Sequence, residues 1–376
     1  MLLAAVVAIG ALLAWYWPRY TYLPASPAPW TVERLATDPL IIDQAEEHGY
    51  SNICCPSVLS VPEWVQNPLG RYYLYFSHHK GSYIRLAYSD SPVGPWTVHA
   101  GGALPLEQSG LPTSPKAHGE GDGVLIALWQ NFELPLIRDF LIMSWRTKVS
   151  GQAEREARGI SASAGSAPHI ASPEIVVDHE SRRILMFYHG YDHRGGQSSR
   201  IAESADGLNF QALDTEIFGV YLRHFQHRET HYLLGMPGVL YRSSSLRGPY
   251  EPRGQILFEP DMRHAGLLLE GDTLYVFWSR VGDAPERVLL SQVDLSHRDW
   301  NRWEATAAVD VLQPEQAWEG ALLPIHASLR GELDVAAREL RDPYVFRDRD
   351  GSLYLYYVGG GEKAIGVARM SPEGGP

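Results

Sequence analysis

The sequence lacks any run of lysine or arginine, and acidic residues outnumber basic residues by 44 to 32 over 376 residues. Domains that bind nucleic acids normally carry a clustered basic face. The formal net charge of −12 therefore argues against a nucleic-acid partner. An acidic balance of this kind is compatible with a soluble protein whose small partner is neutral or cationic.

Cysteine is almost absent, since the chain contains only Cys54 and Cys55, which are neighbours. A disulfide normally joins residues whose Cα atoms lie about 4.4–6.8 Å apart, whereas consecutive Cα atoms are separated by about 3.8 Å. The sequence therefore predicts no disulfide framework and two buried, reduced thiols. A redox pair and a metal site are the alternative interpretations of these two residues.

Apolar runs of full membrane-spanning length are also lacking. The apolar run at residues 2–17 would extend about 24 Å as a helix, against a hydrocarbon core of about 30 Å. This length is typical of a signal-peptide core or a short signal anchor. We expect an extracytoplasmic protein, secreted or membrane-anchored, with residues 1–20 as anchor or signal peptide and residues 21–49 as tether. A buried N-terminal helix is the alternative.

Aromatic residues and short β-prone runs, by contrast, recur along most of the chain. Five segments share one order of turn, aromatic strand, polar loop and second strand, at 70–96, 182–210, 230–251, 271–295 and 351–370. A short apolar stretch precedes each segment, and a fourth strand follows most of them. Four antiparallel strands repeated five times predict an all-β fold, the five-bladed β-propeller.

The repeat also predicts the domain organisation. One propeller domain is expected over residues 50–376, with blades at about 50–100, 168–214, 216–258, 261–305 and 308–370. The innermost strands are expected near 52–60, 169–177, 220–226, 262–270 and 341–347. Residues 110–167 lack the pattern and are interpreted as an insertion, in which 134–149 form a helix or a strand pair. A sixth blade is the alternative for this segment.

Polar residues at the starts of the innermost strands are the candidate functional residues, because these strands line the axis of a propeller and buried polar groups need partners. The predicted substrate-binding residues lie on or beside these strands or in the loops after the second strands: His79, His169, His189, Asp192, Arg223, Arg263, His264, Arg280, Arg287, Glu319 and Arg341. Arg280 and Arg287 are expected to reach a uronate carboxylate or sugar hydroxyls. A salt bridge at the rim is the alternative for these two.

No cofactor is expected, and a structural calcium ion is left open. The histidines do not predict a metal site. His224, His227 and His231 are spaced by three and four in a strand-like segment, where alternate residues point to opposite faces. These three side chains need not share a face.

Three segments resemble the blade motif of the five-bladed glycoside hydrolases of families 43 and 32, which include arabinanase-, levansucrase- and invertase-like enzymes. Residues 341–357 (RDPYVFRDRDGSLYLYY) carry the motif with Asp342 at its Asp-Pro position. Residues 172–190 (SPEIVVDHESRRILMFYHG) and 55–59 (CPSVL) carry it with Ser172 and Cys55 in place of the aspartate. The resemblance covers about residues 50–100 and 168–370 and implies a propeller that acts on carbohydrate.

The resemblance also implies a catalytic aspartate base on blade one, a tuning aspartate on blade two and a glutamate acid on blade three. This sequence has Cys55 and Ser172 at the first two places and no carboxylate near Arg223 at the third. Glycoside hydrolysis requires two carboxyl groups, one protonated and one ionised. We therefore predict that the surviving pair, Glu174 and Asp342, is catalytic.

The roles within this pair are predicted from environment. Glu174 in a dry position would stay protonated and act as the acid. Arg341 would keep the neighbouring Asp342 ionised. The alternative is that Asp342 caps a turn and pairs with Arg341.

Three functions remain open at this stage, with a glycoside hydrolase acting on a polysaccharide or oligosaccharide as the leading interpretation. A non-catalytic glycan-binding propeller is the first alternative, because the usual aspartates are replaced. A polysaccharide lyase is the second, with histidine or tyrosine as base and arginine neutralising a uronate. Two carboxyl groups about 5–10 Å apart would favour hydrolysis, and a cluster of His, Tyr and Arg without such a pair would favour a lyase.

Overall fold

The computed structural model describes residues 20–42, 52–114, 151–160, 167–192 and 196–373. Within these ranges the chain forms four sheets of four strands and one sheet of five. In chain order the strands are β1 (Trp30–Arg34), β2 (Ile41–Ile42), β3 (Cys54–Ser60), β4 (Tyr72–Ser77), β5 (Tyr83–Ser89), β6 (Thr97–Pro105), β7 (Ile170–Asp178), β8 (Arg183–Tyr191), β9 (Gln197–Ser204), β10 (Gln211–Ile217), β11 (Val220–His227), β12 (Thr230–Met236), β13 (Val239–Ser243), β14 (Glu251–Pro252), β15 (Met262–Glu270), β16 (Thr273–Arg280), β17 (Val288–Asp294), β18 (Val309–Leu312), β19 (Leu340–Arg347), β20 (Leu353–Gly359) and β21 (Ala364–Pro372).

Each sheet is one blade of a propeller. Strands β3–β6, β7–β10, β11–β14 and β15–β18 form blades one to four, and β19–β21 form most of blade five. The innermost strands β3, β7, β11, β15 and β19 contact one another in a closed ring around the axis. The prediction of an all-β, five-bladed propeller is therefore confirmed, as are the segments expected to lie innermost.

The second strands of the blades explain why aromatic residues are so frequent. Every position of β4 (YYLYFS) and β20 (LYLYYVG) is buried. A blade is packed between two neighbours, so both faces of its central strands are covered and the alternation of apolar with polar residues disappears. The resulting core clusters join neighbouring blades: one combines Tyr73 and Tyr75 of blade one with Met186 and Tyr188 of blade two.

Blade five is completed from the other end of the chain. Strand β1 pairs antiparallel with β21 in register from Trp30 opposite Pro372 to Arg34 opposite Ala368. Trp30 also packs edge-on against Tyr275 of blade four, with ring centroids 4.6 Å apart. This segment therefore belongs to the propeller and not to the predicted tether. A five-residue strand whose partner lies over 300 residues away carries no local signal in the sequence.

The insertion is described in part. Its α-helix Gly151–Ala157 is attached to the propeller through Arg155, which donates hydrogen bonds to the carbonyls of Arg330 and Glu332. The expected anchor at residues 2–17 and the expected helix or strand pair at 134–149 lie outside the described residues. Among the described residues, no helix has the length and apolar character needed to cross a membrane.

Candidate active site at the propeller axis

The innermost strands share an irregularity at one equivalent position beside the axis. The register shifts between Cys54 and Ser57 in β3, and corresponding shifts occur in β7, β11, β15 and β19. In four blades the first residue of this bulge has a positive φ angle: Cys55 (64°), Ser172 (55°), Tyr221 (55°) and Asp342 (48°). Bulges redirect side chains and are frequent next to active sites, and such backbone strain in residues other than glycine clusters there as well. These four residues are called the bulge residues below.

Asp342, the bulge residue of blade five, is fully buried and bridges two other blades. Its Oδ1 contacts Nδ1 of His264 from blade four, and its Oδ2 accepts a hydrogen bond of 3.3 Å from the backbone N–H of Cys55 in blade one. Burial, reinforced by the charge of Arg263, lowers the pKa of His264 well below its ordinary value.

Tyr221, the bulge residue of blade three, lies among three histidines. Its ring centroid is 4.4 Å from that of His189 and 4.1 Å from that of His264. Its hydroxyl lies 2.9 Å from Nε2 of His79. Burial raises the pKa of Tyr221 well above its ordinary value and lowers that of His189 well below. The cluster therefore holds a protonated phenol beside a neutral imidazole near neutral pH.

The two thiols lie at the same end of the axis and are free and buried, as predicted. Ser172, the bulge residue of blade two, donates a hydrogen bond of 3.0 Å from its hydroxyl to Sγ of Cys55. Sγ of Cys54 lies 3.1 Å from Oγ of Ser77. Cys55 and Ser172, which are predicted to stand at the aspartate positions of the resembled families, therefore contact each other directly.

Arg341 was predicted to pair with Asp342, but it binds other carboxylates instead. It is fully buried and binds Glu339 and Glu362, with its Nη1 2.8 Å from Oε1 of Glu362. Arg341 and Asp342 therefore have separate partners. Although burial acts to raise it, the charges of His79 and Arg341 lower the pKa of Glu362 to about 2.

The second axial arginine, Arg263, is also held internally. Its Nη1 lies 2.9 Å from Oε2 of Glu286, which in turn lies 3.5 Å from Nε of Arg341. Two buried arginines thus face three buried glutamates, Glu286, Glu339 and Glu362. The positive charge on this side of the axis is therefore neutralised within the protein.

Glu174 lies two residues beyond the bulge of blade two. Its Oε2 accepts a 2.9 Å hydrogen bond from Nη1 of Arg223, and its Oε1 accepts one of 3.0 Å from the backbone N–H of His224. Burial raises its pKa, and the charge of Arg223 opposes this rise. The pKa of Glu174 is raised overall, which is the direction that an acid requires. The assignment of Glu174 as the acid stays a prediction.

The remaining predicted site residues fall into two groups. His169 and Asp192 are buried near the cluster; the ring of His169 lies 6.0 Å from that of His189. Arg280 and Arg287 lie at the rim, where both approach Asp283, at 3.8 and 3.5 Å. Glu319 accepts hydrogen bonds from Arg34 of β1 and from the hydroxyl of Tyr357. Its observed partners therefore belong to the closure of blade five.

The loop at residues 329–333 binds axial side chains of blades one, four and five. The carbonyl of Leu333 accepts a 3.0 Å hydrogen bond from Asn52, and its N–H donates to Glu362. The carbonyl of Leu329 accepts a 2.7 Å hydrogen bond from Arg263. Beside the loop lies a cavity of about 290 Å³ whose lining includes His326 and Glu339. This cavity brings solvent to the edge of the buried network.

Comparison with known proteins gives a relative in sequence and several similar structures. No protein-family model matches the chain. Over 367 residues it is 32% identical to the uncharacterised protein R118 of Acanthamoeba polyphaga mimivirus, and the match covers 90% of each chain. The chain belongs to the family of R118.

Solved structures with a similar fold come from several families of glycoside hydrolases. A family-43 β-xylosidase/α-arabinofuranosidase from a compost metagenome gives a TM-score of 0.52 at 11% identity, covering 92% of this chain and 96% of that one. The α-L-arabinofuranosidase of Podospora anserina gives 0.51 at 12%, covering 93% and 99%. A protein of the GH130 family gives 0.53 at 12%, covering 94% and 98%. The resemblance in fold to five-bladed propeller glycoside hydrolases is confirmed.

Sequence reasoning missed Tyr221. The other three bulge residues, Cys55, Ser172 and Asp342, each precede a proline. Tyr221 precedes Leu222, so the motif was matched instead to Arg223, two residues further on. The register shift between Val220 and Arg223 in β11 identifies the equivalent position.

Proposed function

We propose that this protein hydrolyses glycosidic bonds of an oligosaccharide or polysaccharide at the end of the propeller axis where the bulge residues meet. The observation that carries the proposal is the buried Asp342–His264 contact at the Asp-Pro position of the resembled motif. The likeness of the fold to propeller glycoside hydrolases supports the substrate class. It does not by itself identify a function, because one fold hosts many chemistries.

Asp342 is assigned as the ionised carboxylate of the reaction. As water attacks the sugar, Asp342 accepts the proton that the water loses, and the contact with His264 holds the carboxylate in place for this step. The acid that protonates the leaving oxygen is then Glu174, whose pKa burial raises, or Tyr221, whose phenol is protonated. Glu174→Gln and Tyr221→Phe separate these two roles, because only loss of the acid depresses the rate strongly.

A lyase is the second candidate, and the Tyr221–histidine cluster is the observation that favours it. Lyases that act on uronates need a cation to neutralise the substrate carboxylate. Here Arg263 and Arg341 are engaged by Glu286, Glu339 and Glu362. Internal neutralisation of this charge favours a neutral sugar, and so hydrolysis over elimination.

The test is an activity screen of the full-length chain over a panel of neutral and uronate-containing polysaccharides. New reducing ends without ultraviolet absorbance indicate hydrolysis, whereas absorbance from an unsaturated product indicates a lyase. Asp342→Asn should lose the activity, and Asp214→Asn, which changes an exposed carboxylate on β10, should keep it. Binding without any product would replace this proposal with a glycan-binding function.

A further inference from the structure

Cys54, Cys55 and His79 form a compact group of potential metal ligands. The two sulfur atoms and one ring nitrogen of His79 all lie within 4.8 Å of one another, and all three residues are buried. We propose that these three side chains bind a zinc ion beside the bulge residues. This inference goes beyond glycoside cleavage and does not depend on it.

The bulge explains how two consecutive cysteines reach one point. In a regular strand their side chains would project to opposite faces. Cys55 has a φ angle of 64° at the position where the register of β3 shifts against β4. This conformation brings both sulfur atoms near His79, which follows the end of β4.

The spacing suits tetrahedral coordination. Zinc–sulfur bonds are about 2.3 Å long and zinc–nitrogen bonds about 2.0–2.1 Å, so ligand atoms around one zinc ion lie about 3.5–3.8 Å apart. The observed upper limit of 4.8 Å leaves about 1 Å to be closed by small rotations of the side chains. Each thiol would release its proton to solvent when the metal binds.

The surroundings of His79 orient it for this role. Its Nδ1 lies 3.2 Å from the side-chain oxygen of Asn52 and 3.6 Å from Oε2 of Glu362. A metal-binding histidine usually donates its other N–H to a carbonyl or carboxylate, which fixes the tautomer. Nδ1 would therefore carry the hydrogen and Nε2 would offer its lone pair. In this structure the hydroxyl of Tyr221 lies 2.9 Å from Nε2, so metal binding would replace this hydrogen bond.

The ligand types select the metal. Calcium takes oxygen ligands, whereas thiolate and imidazole together suit zinc. Three protein ligands leave a fourth position for water or a ligand, an arrangement typical of catalytic rather than structural zinc. The backbone N–H of Cys55 donates to Asp342, so the metal would lie beside the proposed catalytic carboxylate.

The test uses the full-length, reduced chain, loaded with Zn²⁺ or Co²⁺ and freed of excess metal. We expect about one zinc ion per chain by elemental analysis, and a sulfur-to-cobalt charge-transfer band in the near-ultraviolet spectrum of the cobalt form. Cys54→Ser, Cys55→Ser and His79→Gln should each lose the bound metal. His224→Gln is the matched control, because His224 is a histidine of blade three whose ring contacts His231 and is not a predicted ligand.

Three results would overturn the inference. The first is equal zinc retention by the wild type and a Cys54→Ser/Cys55→Ser double variant. The second is a cobalt form without the charge-transfer band. The third is a native mass that shows the two cysteines joined as a disulfide. The cobalt spectrum of the wild type decides the question even if the substituted chains fail to fold, and it needs no activity assay.

Discussion

Glu174 and Asp342 are both buried carboxylates on innermost strands, yet their surroundings differ. Glu174 is bound by Arg223, whose guanidinium also donates to the carbonyls of Pro56 in blade one and Ala265 in blade four. Asp342 is instead contacted by His264 and by one backbone N–H. A fixed positive charge that joins four blades holds the carboxyl of Glu174 in place, whereas the neighbour of Asp342 is an imidazole whose pKa is lowered by burial.

The same contrast separates the arginine–glutamate network from the Tyr221–histidine cluster. Arg341 and Arg263 are matched by three glutamates at the axis. Around Tyr221, burial keeps His189 and His264 neutral near neutral pH, and Nδ1 of His189 has no hydrogen-bond partner among the described residues. Buried polar atoms without partners are uncommon and often mark functional sites. We therefore expect substitutions in the two regions to affect different properties.

A third buried carboxylate, Glu319, binds Arg34 of β1, the strand that closes blade five. Removing β1 should have the largest effect on stability. Deletion of residues 1–34 removes β1 and Arg34 and exposes the edge of β21, so we expect the domain to unfold. Deletion of residues 1–20 should leave a folded propeller, because pairing begins beyond it. Circular dichroism and thermal melting of the two truncated chains measure the difference. A folded 1–34 deletion would show that the closure is dispensable.

Loss of the axial arginine should have the next largest effect. Arg223→Met leaves the carboxyl of Glu174 buried without its cation, and breaking a buried pair in this way costs about 3–5 kcal/mol. Urea denaturation measures the change in the free energy of unfolding. The double variant Arg223→Met/Glu174→Leu is the control and should recover much of the loss, since no unpaired charge remains. Equal stability of Arg223→Met and the wild type would show that the Arg223–Glu174 pair does not stabilise the fold.

Stability should fall on mild acidification because of the buried histidines. Burial lowers the pKa of His169 and His189, and lowers that of His224 to about 3, from an ordinary value of 6.5. Below about pH 6.5 these histidines therefore bind protons in the unfolded chain but not in the folded chain. The free energy of unfolding falls as the pH falls. Glu174, Glu339 and Asp283 have raised pKa values and act with the opposite sign. His231 and His264, whose pKa values are also lowered, add to the effect of the histidines named above.

Thermal melting at pH 7.5 and pH 5 measures this effect. The midpoint should be lower at pH 5, and the difference should shrink in His224→Gln, which removes one of the three histidines. A midpoint that is unchanged or higher at pH 5 would contradict neutral, buried histidines. The carboxylates with lowered pKa values, such as Asp178 at about 2, contribute only at more acidic pH.

The fold was more predictable from the sequence than the site. Runs such as YYLYFS recur with regular spacing, and each predicts a buried strand locally, so the number of blades and the innermost strands followed. The site depends on contacts between blades. Nothing local shows that Arg341 turns to Glu362 while Asp342 faces His264, or that Tyr221 joins the bulge residues without a following proline. Strand β1 could not be predicted for the same reason, because its partner lies at the opposite end of the chain.

Asp342 is proposed to take part in the reaction, and the fold around it is expected to persist when its charge is removed. The most direct measurement compares the hydrolysis rate and the unfolding midpoint of Asp342→Asn with those of the wild type, on the substrate found by screening. We expect a rate lower by about 10²-fold or more and a nearly unchanged midpoint. A folded Asp342→Asn variant that retains the full hydrolysis rate would contradict it.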